Sequence, residues 1–455
     1  MHGKRKKADG NAITFLKAMT KGSISTRLSV LVMGLANIRY GQVGKGILFL
    51  AAEVLYLIFM GRMGLHNLMM LPSLGTAEQE EIWNEELGVY EYVAGDQSLL
   101  ILLYGVATLF VTAVFLVLWK ESVVSGYRAE RYTKENRRPN TLREDMMTLL
   151  NGNLHKLLLA LPVTGVLAFT ILPLVFMISM AFTSYSKQGD KLVLFEWVGL
   201  ENFKKVLNFK DAIGQTFWSV LGWTIVWAIF ATFLNYILGM ILAIVINRKE
   251  TRAKGFWRFC FVLSIAVPQF VSLLIMRTML NESGAVNVLL KSMGLIDKSL
   301  PFWTDATWAR VTVIVINLWV GIPFTLLQVT GILKNIPAEL YEAARIDGAT
   351  AVQTFFKVTL PYMLFVTTPY LITSFTGNIN NFNVIYLLSG GNPTPVGATA
   401  GKTDLLVTWL YKLTIDKQYF NLGAVIGIMT FVVLAVVALV TYRSTGSYKN
   451  EEGFQ

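Results

Sequence analysis

Ile336-Pro-Ala-Glu-Leu-Tyr-Glu-Ala-Ala-Arg-Ile-Asp-Gly-Ala-Thr-Ala-Val-Gln-Thr-Phe-Phe-Lys-Val-Thr-Leu-Pro361 is the stretch on which the reading of this chain turns. Local rules predict two short helices. Pro337 suits the first position of a helix, where a missing N–H costs nothing. Glu339 and Glu342 stand early in that helix, where its dipole favours acids. Gly348 closes it by taking the left-handed conformation. Thr350 and Gln353 have the spacing of a capping box and open the second helix. Pro361 is expected to end that helix or kink it into the next segment. Ala343 and Ala344 keep the first helix slim, so a groove on another protein can approach it closely.

The surroundings of this stretch are membrane. The chain of 455 residues is 54% hydrophobic and 15% charged, with a mean hydropathy of +0.52. A soluble chain carries about a quarter of its residues as charges. A spanning helix needs about twenty apolar residues. The candidates are Val43–Met60, Leu99–Trp119, Leu157–Thr183, Phe217–Ile246, Phe259–Met276, Val311–Leu333, Tyr362–Leu388 and Phe420–Tyr442. The first holds Lys45 and Glu53, which weakens it. Leu28–Ile38 is too short to span and reads as a cytoplasmic or interfacial helix. No secretory signal peptide is evident after the basic start.

The net charge of +11 sits between apolar spans, as a topology signal does, and argues against nucleic acid as a partner. Lys4, Arg5, Lys6, Lys7, Lys17, Lys21, Arg27 and Arg39 place the N-terminal segment in the cytoplasm. Glu78, Glu80, Glu81, Glu85, Glu86, Glu91 and Asp96 place the following loop outside. Arg128, Arg131, Lys134, Arg137, Arg138 and Arg143 return the next loop inside, as do Arg248, Lys249, Arg252, Lys254 and Arg258 later. Eight spans then put both termini, and the 336–361 stretch, in the cytoplasm. The expected fold is all-α and polytopic. Residues 1–42 form a cytoplasmic segment, and 43–156 a two-span appendage with an acidic outer loop and a basic inner one. Residues 157–442 form a six-span core, and 443–455 a cytoplasmic tail.

The string Glu342-Ala343-Ala344, with Asp347-Gly348 and Leu360-Pro361 behind it, resembles the cytoplasmic "EAA" loop of permease subunits of bacterial ABC importers. That resemblance implies docking of these residues into a cleft on a separate ATP-hydrolysing subunit. The chain itself carries no phosphate-binding loop. The nearest string, Gly397-Ala-Thr-Ala-Gly401-Lys402-Thr403, has three residues between its glycines where four are needed. It also falls in an outer loop. From Leu99 onward the spans contain essentially no ionisable residue between their ends, which speaks against proton coupling. Sodium coupling through backbone oxygens stays open as an alternative. A membrane-embedded enzyme is the lesser alternative, since no cluster of acids is evident. Cys260 and the scattered His2, His66 and His155 offer neither a disulfide nor a metal site.

A polar, uncharged cargo needs hydrogen-bonding groups at mid-membrane. The seventh span supplies Thr373, Ser374, Thr376, Asn378, Asn380, Asn381 and Asn383, seven polar residues in eleven positions. Such groups must face the bundle interior or a wet cavity. Gly321 and Pro323 loosen the sixth span, and Pro268 with Gln269 interrupts the fifth. Ser374-Phe-Thr-Gly-Asn378-Ile-Asn-Asn381-Phe382 with Gly390-Gly-Asn-Pro393, Asn317–Phe324, and Lys402–Tyr411 resemble the larger permease of maltose/maltodextrin importers over roughly Leu157–Tyr442. The resemblance implies that Asn317, Gly321, Ser374, Asn378 and Asn381 line a sugar site, to which Gln269 and Phe324 are added as candidates. No large inserted outer domain follows the third span, and Ile265 and Gln269 stand where some members place other residues. The implied assembly has a second permease subunit as heterodimer partner. It adds two copies of a cytoplasmic ABC ATPase, which bind ATP and Mg, and an extracellular sugar-binding protein, all at the bacterial cytoplasmic membrane. This chain would hold no cofactor and catalyse no reaction.

Overall fold

The computed structural model describes residues 14–85, 88–248 and 250–444. The charges at Lys4–Lys7, Glu86 and Lys249, and the tail beyond Ser444, lie outside the described residues. The chain forms two compact units, one running to Tyr185 with Gly189–Val198, the other comprising Ser186–Gln188 and the chain from Gly199 onward.

The first unit opens with three short helices, α1 (Phe15–Lys21), α2 (Ile24–Leu28) and α3 (Leu35–Arg39). Thr14 and Ser23 cap the first two by accepting from Lys17 and Thr26 amides. The Leu28–Ile38 run, expected as one helix, is thus broken by a turn. Gly34 makes that turn at φ +81, with its Cα against the Gly46 backbone, where no side chain would fit. Helix α4 (Val43–Met70) outlasts its expected end at Met60 by passing through a π turn at Met60–Gly64. The charges that weakened this span are both partnered. The Met33 amide donates to Glu53 at 2.7 Å, and Lys45 pairs with Asp145 at 2.7 Å.

An antiparallel hairpin, β1 (Glu80–Asn84) with β2 (Val89–Val93), sets Glu80 opposite Val93 and Asn84 opposite Val89. Helix α5 (Ser98–Lys134) corrects the sequence reading, which ends the span at Trp119 and assigns the polar residues beyond it to a loop. Its polar half is held as helix by tertiary packing. Val123 and Tyr127 enclose Ala18 of α1, and the Ser125 hydroxyl accepts from the Asn37 amide at 2.9 Å. Helices α6 (Leu142–Asn151) and α7 (Leu154–Met180) complete the unit.

The second unit begins with α8 (Glu201–Leu207), a short helix with Val206 buried. It continues with α9 (Ala212–Asn247), α10 (Lys254–Ala266), α11 (Gln269–Met279), α12 (Ala285–Ser292) and α13 (Ala306–Leu333). Then come α14 (Ala338–Ile346), α15 (Ala351–Ile379), α16 (Phe382–Leu388), α17 (Leu406–Tyr411) and α18 (Phe420–Ser444).

Seven helices among the described residues are long and apolar enough to cross a membrane, or eight if the bent pair α10–α11 is one span. That pair bends the fifth span by 87° at the expected interruption. Pro268 causes it, because it donates no N–H and biases Val267 to extended backbone (φ -79, ψ 127). The seventh span breaks too. Its expected run to Leu388 divides at Asn380 into α15 and α16. Two apolar clusters hold the unit. One gathers Trp227, Leu273, Val313, Ile379 and Leu388, and the other Tyr236, Met240, Leu326, Val329, Ile336 and Met363.

Candidate translocation site and coupling segment

The 336–361 stretch folds largely as its local chemistry predicts. Pro337 is the residue before α14 rather than its first, with extended ψ of 132. Gly348 has φ +71. The Ala349 amide reaches back to the Ala344 carbonyl at 2.9 Å, and the Asp347 amide to Ala343 at 3.0 Å, closing the helix. The capping box is formed in both directions, Thr350 amide to Gln353 Oε1 at 2.8 Å and Gln353 amide to Thr350 Oγ1 at 3.3 Å. Pro361 does not end the second helix. A π turn at Phe355–Thr359 precedes it, the local adjustment that accommodates proline in a span, and the helix runs on to Ile379.

No residue of α14 is buried, and Ile346 is 86% exposed. Glu342, Ala343, Asp347 and Gly348 face outward, Ala344 and Leu360 are half-buried, and Pro361 is exposed. Underneath, Ile336 sits in the inner apolar cluster with Tyr341, Phe355 and Leu360 packed against it. The result is a slim helix, rigidly seated and open on its outer side.

The candidate cargo residues divide. Asn317 is buried on α13. Gly321, one turn on, packs directly on the Asn235 amide of α9, where a larger residue would collide. Asn235 donates to the Ala231 carbonyl at 2.7 Å, and its buried Oδ1 has no partner. Asn378 donates to Thr232 Oγ1 at 3.0 Å and accepts from Asn381 at 3.3 Å, while Trp227 donates to the Asn378 carbonyl at 3.0 Å. Asn381 also caps α16 by accepting from the Val384 amide at 3.3 Å. Ser374 is half-buried on α15. Thr373 and Thr376 bond to carbonyls of their own helix, both at 2.9 Å. The structure therefore joins Asn378 to Asn381 and seats Gly321 beside α9. It does not join Gln269, exposed at the start of α11, or Phe324, 54% exposed, to that group by any hydrogen bond among the described residues.

Several neighbours escaped the sequence reading. Thr232 lies within a π turn of α9, Phe230–Leu234, and Asn235 directly follows it; both stood out only as isolated polar residues in an apolar span. Beside Asn381, Phe382 stacks on Tyr386 at 4.8 Å, and Tyr411 meets both edge-on at 5.1 and 5.3 Å. A hydrogen bond with Tyr386 pushes the Tyr411 hydroxyl above the usual tyrosine range. Farther along, the buried Asp404 carboxylate accepts from the Gly401 amide at 2.6 Å, the Thr408 hydroxyl at 2.9 Å and Lys412 at 2.7 Å. Arg310 lies 4.6 Å over the Trp223 ring and donates to the Lys402 carbonyl at 2.9 Å. Amides, hydroxyls and aromatic faces, with the one buried carboxylate here, Asp404, already paired to Lys412, suit a neutral polyhydroxylated cargo. Among the described residues no group of three His, Cys, Asp or Glu is placed to hold a metal ion.

Residues 235–445 match the family described as the binding-protein-dependent transport system inner membrane component. The maltodextrin transport system permease protein MdxF of Bacillus subtilis is 34% identical over 444 residues, covering 95% of this chain and 98% of that protein. The chain belongs to this family. It is a permease subunit of a sugar-type ABC importer, a transport component rather than an enzyme, as the 336–361 stretch implied. The galactooligosaccharides transport system permease protein GanP of the same organism is 36% identical, covering 79% of this chain and 86% of its own. A solved bacterial ABC transporter involved in import of the acidic polysaccharide alginate shares the fold, with TM-score 0.52 and 22% identity over 66% of this chain and 97% of that one.

Proposed function

We propose that this permease carries a maltodextrin or a related neutral oligosaccharide across the bacterial cytoplasmic membrane. The carrying observation is the amide pair Asn378–Asn381 set beside the aromatic group of Phe382, Tyr386 and Tyr411. Amides satisfy sugar hydroxyls in pairs, and aromatic faces cover the apolar side of a pyranose ring. The names of the two relatives, a maltodextrin and a galactooligosaccharide permease, support the same class. Asn317, Gly321 and Ser374 extend this lining, with Gln269 and Phe324 as outer candidates.

The remaining assembly is argued from what the chain leaves uncovered. Helix α7 keeps none of its apolar window buried within the chain, which suits a second permease subunit at its side. We assign the six-span core to residues 157–442 and the two-span appendage to 43–156, with both termini in the cytoplasm. Glu342, Ala343, Ala344, Asp347, Gly348, Leu360 and Pro361 would seat one of two ATPase subunits. Those subunits bind ATP and Mg and move the helices as a rigid body. A sugar-loaded binding protein would deliver cargo to the outer loops.

Uptake of labelled maltotetraose tests this reading. It should require the chain and ATP, and survive collapse of the ion gradients. Uptake lost with the gradients while ATP stays high would overturn it. Gly348→Trp should abolish uptake while leaving membrane insertion intact, since the residue faces open space and only its left-handed backbone and the docking surface are disturbed. Normal uptake by that variant would remove α14 from the coupling role.

A further inference from the structure

A cavity of about 540 Å³ opens in the first unit among α4, α5 and α6. Its walls are built rather than incidental. The Gln42 side chain donates to the Asn140 carbonyl at 2.8 Å, Lys45 pairs with Asp145 at 2.7 Å, and Thr141 with Glu144 forms the capping box that starts α6. The lining changes character along the helices. Along α4 the lining passes from Gln42 and Lys45 to Phe49 and Ala52, and along α5 from Leu118 to Ser125 and Arg128. Arg128 is ten residues past Leu118, about 15 Å along the helix axis. Two cations against the single carboxylate of Asp145 leave the lining net positive. Arg128 makes no hydrogen bond or ion pair among the described residues, so its guanidinium is available to an anion.

Helix α6 adds the third element. It buries none of its residues, and Met146, Leu149 and Leu150 are exposed, the pattern of a helix lying in the membrane–water interface. The cavity therefore sits where α4 enters and α5 leaves the bilayer, with its cations on the water side and its apolar wall on the lipid side. We infer that it binds one anionic phospholipid, the phosphate meeting Arg128 and Lys45 while an acyl chain lies along Phe49, Leu118 and Leu149. Basic pockets at the cytoplasmic ends of spans take such headgroups. A free anion would leave the apolar half unfilled. The chain's own first residues carry Lys4, Arg5, Lys6 and Lys7, a like charge that the pocket repels. The inference rests on α4 and α5 crossing the bilayer and is independent of the cargo.

Native mass spectrometry of the purified full-length chain, stripped of lipid and titrated, reads this directly. One phosphatidylglycerol should be retained in preference to phosphatidylcholine, and Arg128→Gln should weaken that retention about fivefold. Arg131→Gln, whose cation pairs with Glu135 at 3.0 Å outside the cavity, should retain the lipid like the parent chain. Leu149→Trp, on the exposed helix α6, fills the apolar end and should weaken retention without touching a charge. Equal retention of the two lipids, or an unaltered response in either Arg128→Gln or Leu149→Trp, overturns the site. Displacement by millimolar inorganic phosphate would make it an anion site and overturn the lipid assignment.

Discussion

Glu130 in the first unit and Asp404 in the second are the same device at two reaches. Neither carboxylate has any exposed surface, and each is paired with a lysine further on, Lys134 at 2.6 Å and Lys412 at 2.7 Å. Each also accepts from a backbone amide and a threonine hydroxyl. For Glu130 these are Ser23, at 2.9 and 3.0 Å, and Thr26 at 2.5 Å. For Asp404 they are Gly401 at 2.6 Å and Thr408 at 2.9 Å. The amide and hydroxyl partners of Glu130 lie 107 and 104 residues away, with only Lys134 nearby, while all those of Asp404 lie within eight. One carboxylate fastens the N-terminal helices to a span. The other folds a loop onto itself. Identical chemistry thus stabilises tertiary structure in one place and local structure in the other.

Glu130→Ala should have the largest effect. It strands the Ser23 amide and the Thr26 hydroxyl, and loss of hydrogen bonds to a buried charge costs about 3 kcal/mol. Thermal unfolding of the purified chain should show it, together with new protease cleavage within residues 14–39. Asp404→Ala should cost about 2 kcal/mol, read as lost hydrogen-exchange protection at Gly401–Thr408, with the N-terminal helices still protected. If Asp404→Ala releases residues 14–39, or Glu130→Ala leaves them resistant, the distinction between long and short reach fails.

The smallest effect belongs to a third carboxylate, Asp96, which is half-buried and held mainly by backbone amides. The Ala77 and Thr76 amides donate to its Oδ2 at 3.0 and 2.9 Å and hold its pKa below the usual aspartate range. A lowered folded pKa means that this tether is fully present above the ordinary aspartate value. It is lost as pH falls through the folded value. Protection of the Thr76 and Ala77 amides, relative to their intrinsic exchange rates, should therefore fall as pH drops through the lowered folded value, and Asp96→Asn should remove that pH dependence of protection. Unchanged pH dependence in that variant would show that Asp96 does not hold the loop.

Reach also explains what the sequence discloses. The 336–361 stretch was legible because its determinants, Gly348 and the Thr350–Gln353 box, act within three or four residues. The break at Pro268 announced itself through a proline, though not the 87° it produces. Helix α5 was misjudged beyond Trp119 because polar residues there are kept helical by α1–α3, whose contacts join positions 88 to 107 residues apart. The candidate polar cluster was half legible. The amides of the seventh span were conspicuous, but Thr232 and Asn235 matter through neighbours on other helices. The tyrosines that flank Asn381 meet only after the chain breaks at Asn380 and returns at Tyr411.

The π turns are places where these helices can change length without changing which way they face. Four interrupt long apolar helices, at Met60–Gly64, Leu167–Ile171, Phe230–Leu234 and Phe355–Thr359. Each holds one residue more than an α turn would. Deleting a residue there would relax the turn to α geometry and leave the helix beyond it facing nearly as before, because the extra residue is absorbed locally. The same deletion in a regular α turn would swing everything beyond it by about 100°. At Phe230–Leu234 a deletion therefore keeps Asn235 beside Gly321. Single-residue gaps at these four turns are tolerated where gaps elsewhere in the same helices are not.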